Sequence, residues 1–106
     1  MDTPRSDLSD FSSVFEADEL REAHEEKVRQ AQLQMDEDIR HVMSMPAGRR
    51  LLWAHLDRSG MWRSSFTGDR QGTDFREGMR NTALMLWGDL QRVCPKLLLR
   101  MQEENQ

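Results

Sequence analysis

Seven positions in the first half of the chain (Leu20, His24, Val28, Ala31, Met35, Ile39 and Val42) recur at steps of 4, 4, 3, 4, 4 and 3. That spacing lines them up on one face of a 3.6-residue helix. The intervening Ala, Glu, Gln and Arg are good helix formers. The pattern predicts a long first helix from Glu16. Its apolar stripe is thin before Val28, so the first half is expected to project and the second half to pack. Asp36 marks a candidate break, because Asp favours caps over helix interiors. Pro46 ends the helix and suits the first turn of a second one. This second helix should run to about Arg58, with Leu51, Leu52, His55 and Leu56 inward, and Gly60 as a left-handed stop. Residues 61–72 read as a loop whose Met61, Trp62 and Phe66 fold back onto the helices, with turns at Gly68-Asp69 and Gly72.

A third helix is expected from Thr73 or Asp74, where Asp74-x-x-Glu77 resembles a capping box. Phe75, Met79, Thr82/Ala83, Leu86, Leu90 and Val93 form its stripe, widened by Leu84 and Trp87, which makes it the central helix. Cys94-Pro95 ends it, and a short fourth helix follows to about Glu103 with Leu97, Leu98 and Met101 inward. No hairpin pattern and no repeat occurs. The fold expected is all-α: a small bundle of three to four helices with a long N-terminal helix and an extended N-terminal arm. Residues 1–15, rich in Ser and Asp, read as an extended or disordered acidic arm, and residues 16–106 as the helical domain. Leu8, Phe11 and Phe15 interrupt the arm's polarity and could anchor it on a partner, as could Leu20 and Val28.

Composition changes this picture in two ways. Only 37% of the 106 residues are hydrophobic and 32% are charged, so part of the chain should lie outside any core. The net charge of −4 is also unevenly spread. Residues 1–45 hold 12 Asp/Glu and 5 Lys/Arg, whereas residues 46–100 hold 5 and 10. An acidic stretch beside a basic one suits association, with another copy or another subunit. The bland reading is an acidic, solvated helix. A lone Cys94 closes no disulfide within the chain. No secretory signal is expected, and no apolar run reaches the ~18 residues of a membrane span.

The candidate chemistry is sparse. His24, His41, His55 and Cys94 are dispersed and lack the carboxylates and second Glu-x-x-His of a bundle metal site. No metal and no cofactor is therefore expected. Cys94 has no His-Asp arrangement around it, and no nucleophile elbow occurs. No catalytic residue is expected. Gly68-Asp69-Arg70-Gln71-Gly72-Thr73 before a helix invites a phosphate reading, but it lacks the spacing, the Lys and the preceding strand of a P-loop. Arg49, Arg50, Arg58, Arg63, Arg70, Arg76 and Arg80 could grip DNA phosphates. Against that, the net charge is acidic, and arginines equally serve protein interfaces. Arg49, Arg50, Arg76 and Arg80 are the candidate partner contacts.

Pro46-x-Gly48-Arg49-Arg50 followed by Leu52-Trp53, Gly60, Phe66-x-Gly68-Asp69 and Thr73-x-Phe75-x-Glu77-Gly78-x-Arg80 resembles a family of small proteins of tailed, mostly short-tailed, bacteriophages encoded among head and virion genes. The resemblance covers about residues 38–104. It marks Pro46, Gly48, Trp53, Gly60, Gly68, Asp69, Glu77, Gly78 and Arg80 as structural motif positions, with no catalytic residue to carry over. It implies a non-enzymatic structural component of the virion, present in the host cytoplasm during assembly. Its partners would be other virion proteins and further copies of itself, on an inner head, portal or ejection-apparatus surface. A DNA-associated packaging or regulatory protein using the arginines is the alternative. A phosphate-handling enzyme is a third and remote reading. Gly78 inside a helix suggests a close backbone approach.

Overall fold

The computed structural model describes the backbone of residues 3–64 and 66–106 and the side chains of residues 11–64 and 66–106. Four helices account for most of it: α1 (Thr3–Ser44), α2 (Pro46–Arg58), α3 (Arg70–Val93) and α4 (Pro95–Glu104). No strand occurs among the described residues, so the chain is all-α. Packing divides it into two units, Met1–Met35 and Asp36–Gln106.

The first unit is the N-terminal part of α1. Helix begins at Thr3, so the arm expected to be extended or disordered over residues 1–15 is helical from there on. The reason is local. Pro4 falls in the first turn, where a missing N–H breaks no bond, and no Gly or Pro follows before Pro46. A polar composition argues against a core, not against a helix. None of the described side chains of residues 11–35 is buried. Phe11, Phe15, Leu20 and Val28 are all more than half exposed. Phe11 and Phe15 meet edge to face, with centroids 4.7 Å apart. The remaining support comes from exposed one-turn pairs: Arg21 with Asp18 at 2.8 Å, Arg29 with Glu26, and Gln30 Nε2 donating to Glu26 at 2.9 Å. Such pairs contribute little individually.

The second unit holds the core. Met43, Leu56, Met61, Ala83, Leu90, Cys94, Leu98 and Met101 are buried together, with Ile39, Leu52, Trp53, Leu86, Trp87, Val93 and Leu97 packed around them. Trp62 stacks on Trp53 at 4.8 Å and meets Trp87 edge-on at 5.5 Å. Met61 and Trp62 therefore fold back as expected, whereas Phe66 is 76% exposed.

Asp36 does not break α1. Its carboxylate takes two bonds from Arg92 of α3, each 3.0 Å, so it has no need to compete for local backbone donors. The same bonds, opposed by burial, raise the Arg92 pKa. The inner face of α2 is also rotated from the expected one. Gly48, Arg49, Leu52, Trp53 and Leu56 face inward, while Leu51 and His55 are exposed.

Helix α3 starts at Arg70 rather than at Thr73 or Asp74. Asp69, in an extended conformation, caps it by accepting from the Gly72 N–H at 2.7 Å. The Thr67 hydroxyl donates to the Asp69 carbonyl at 3.1 Å, and the Thr67 N–H donates to Thr73 Oγ1 at 3.1 Å. These bonds fix the entry to the helix. The α3 stripe packs only from Ala83 onward. Phe75 is 68% exposed, and Leu90 rather than Leu86 is fully buried.

Candidate functional site

The motif residues around Pro46 form a joint between α1 and α2. Met45 is extended and Pro46 opens α2. The Gly48 backbone presses so closely on the end of α1 that a Cβ there would lie 1.9 Å from the Val42 carbonyl oxygen. Arg49, expected among the partner-binding arginines, is instead 2% exposed and used internally. Its Nη1 donates to the Met43 carbonyl at 2.8 Å, one of the carbonyls left open at the end of α1. Its Nε and Nη2 donate to the two oxygens of Glu104 in α4 at 2.7 and 3.0 Å. The guanidinium thus neutralises the negative ends of two helices at once.

This pair has a pH signature. The bonds from Arg49, working against desolvation, hold the Glu104 carboxyl below its ordinary value of 4.5, and Arg49 is raised in turn. A carboxyl depressed in the folded state stabilises fully above its unfolded value. That stabilisation is lost as pH falls through the folded value. Glu104→Gln should therefore be less stable than the wild type at about pH 7, and the gap should close toward about pH 3. Denaturant midpoints at the two pH values test this, and an equal gap at both would show that the Arg49–Glu104 bond carries no charge-dependent stability.

The phosphate reading of Gly68 to Thr73 meets an obstacle. Gly68 adopts φ 91° as a turn glycine, but the Asp69 carboxylate already takes the Gly72 amide in the first turn of α3. An anion there would face that negative group. Gly60, at φ 76°, is the left-handed stop expected after α2. Gly78 faces open space, and a Cβ added there would meet nothing within 4 Å, so no close approach among the described residues explains it. Glu77 lies exposed on α3, and Trp53 belongs to the tryptophan cluster.

His24, His41 and His55 are exposed and Cys94 is buried. No group of three or more His, Cys, Asp or Glu side chains is placed to hold a metal among the described residues. Burial pushes the Cys94 thiol pKa up, partly offset by Arg40. That direction opposes nucleophile activation. No described helix is long and apolar enough to cross a membrane.

The arginines do not act as one set. Arg63 is tied to the Asp57 carbonyl at 2.7 Å and carboxylate at 3.2 Å. Arg80 is half-buried, and its Nε has no hydrogen-bond partner among the described residues. Arg50 and Arg76 are exposed. Leu8 has a side chain outside the described residues. What the sequence reading missed is a groove: Arg58, Gly60 and Arg63 face Phe75, Arg76 and Met79 across an open space of about 310 Å³. The available signal was the start of the α3 stripe, where Phe75 and Met79 precede the packed half.

These features define a small all-α protein in which several of the motif positions, Pro46, Gly48, Gly60 and Asp69, lie at helix junctions and helix ends. The profile of the Bbp19-like phage proteins matches residues 39–103, and the chain belongs to that family. The match falls within Asp36–Gln106 and agrees with the phage resemblance read from the motifs, leaving the first unit outside it. No curated protein and no solved structure matches the chain.

Proposed function

We propose that this phage protein is a non-enzymatic structural component of a tailed-phage particle. It assembles in multiple copies on an inner head, portal or ejection-apparatus surface, after synthesis in the host cytoplasm. One observation carries the reading. The family match covers the packed unit, whereas the acidic helix before it exposes Phe11, Phe15, Leu20 and Val28. Apolar side chains set along an otherwise charged helix suit burial against a neighbouring protein.

A mass-spectrometric inventory of purified particles tests the proposal. The expected result is this chain at several copies per particle. A protein abundant in the infected lysate and missing from particles would overturn it. The second reading, DNA association, draws on the exposed Arg50, Arg58 and Arg76. It would be favoured by duplex binding that survives physiological salt, since a few nonspecific phosphate contacts would be screened there.

A further inference from the structure

We propose that the groove between the end of α2 and the first half of α3 receives the acidic helix of a second copy of this chain, around Phe11 to Glu22. The inference rests on the multi-copy reading above and names the surface that would join the copies.

The groove combines cationic and apolar character. Arg58 is exposed, and its Nε makes a long bond, 3.4 Å, to the Ala54 carbonyl, which leaves its terminal nitrogens outside that bond. Arg76 is exposed and lines the same groove. Both guanidinium groups can therefore take a carboxylate in bidentate fashion. In the same groove Phe75 is 68% exposed and Met79 is 36% exposed, although both continue the stripe that α3 buries further along.

The acidic helix carries the complementary set. Residues 1–35 hold 9 Asp/Glu against 4 Lys/Arg. Phe11, Phe15, Asp18 and Glu22 follow at steps of 4, 3 and 4, which places them on one helical face. Phe11 and Phe15 are four residues apart, as are Phe75 and Met79, so the two apolar pairs match in pitch and can interdigitate. Asp18, held only in an exposed one-turn pair with Arg21, and Glu22 follow the apolar pair on that face and supply the carboxylates for the arginines. Both halves of this match belong to one sequence, which favours a second copy over an unrelated partner or a nucleic acid.

Sedimentation of the full-length chain over a range of concentrations tests the inference. The wild type should self-associate. Arg58→Glu with Arg76→Glu should weaken association about tenfold or more, as should Asp18→Arg with Glu22→Arg, because each sets like charges together. All four changes in one chain should restore it. The Asp18/Glu22 variant alters only exposed helix outside the packed unit, so it remains informative if the groove variant misfolds. A wild type that stays monomeric, or reversed pairs with no effect or no mutual rescue, would overturn the inference. So would a groove variant that loses duplex DNA binding at physiological salt while self-association is unchanged, which would assign the groove to nucleic acid. The particle inventory is independent. A chain found in particles but monomeric would sink this inference alone, and a self-associating chain missing from particles would sink only the virion reading.

Discussion

Deleting residues 1–30 should leave a folded helical body and remove the protein from the particle. The cut spares Asp36, Ile39 and Met43, the α1 residues that the second unit uses. Among the described residues, none of the buried core precedes Met43. The truncated chain should therefore keep a cooperative thermal transition close to that of the full chain. It loses Phe11, Phe15, Leu20 and Val28, whose exposure makes them available to a neighbour. Circular dichroism and the composition of particles assembled with the variant measure the two halves of this expectation. Full incorporation of the truncated chain would reduce the acidic helix to a solvated extension. A truncated chain that fails to fold would instead contradict the division into units.

Two glycine substitutions should shift stability in opposite directions. At Gly48 an added Cβ would lie 1.9 Å from the Val42 oxygen and 2.8 Å from its carbonyl carbon. These are backbone atoms and cannot rotate away. Either the end of α1 or the start of α2 must move, and Arg49 would be drawn off Met43 and Glu104. Gly48→Ala should destabilise by about 1–3 kcal/mol or more, as overpacking of a tight joint does. Gly78→Ala meets open space in the interior of α3 and should stabilise by up to about 1 kcal/mol through helix propensity. Denaturant midpoints decide both. A Gly48→Ala variant as stable as the wild type would remove the joint from the account of the motif.

The difference between these glycines was not legible from the sequence, where both stand in a family-like motif. Legibility followed the range of the interaction that decides each feature. Pro46, Gly60 and Pro95 act on their own turns, and the helix ends they mark were readable. The start of α3 was misplaced because Asp69 and Asp74 both resemble caps. Bonds from Thr67 to Asp69 and Thr73, which no spacing rule supplies, favour Asp69. Arg49 looked like a surface arginine because its partner Glu104 is 55 residues away. Asp36 looked like a break for the same reason, with Arg92 56 residues distant. The groove was hidden because the α3 stripe reads as uniformly buried, although packing covers only its second half.

The tryptophan cluster has a spectroscopic consequence. The chain has three tryptophans and no tyrosine, and all three rings lie together in Asp36–Gln106. Intrinsic fluorescence excited near the indole band therefore reports melting of that unit alone. Far-ultraviolet ellipticity reports helix in both units. An acidic helix without a core, held by short-range pairs, should lose ellipticity over a broad range before the indole emission shifts. The two signals then trace different curves, and a single folding free energy describes only the tryptophan-bearing unit.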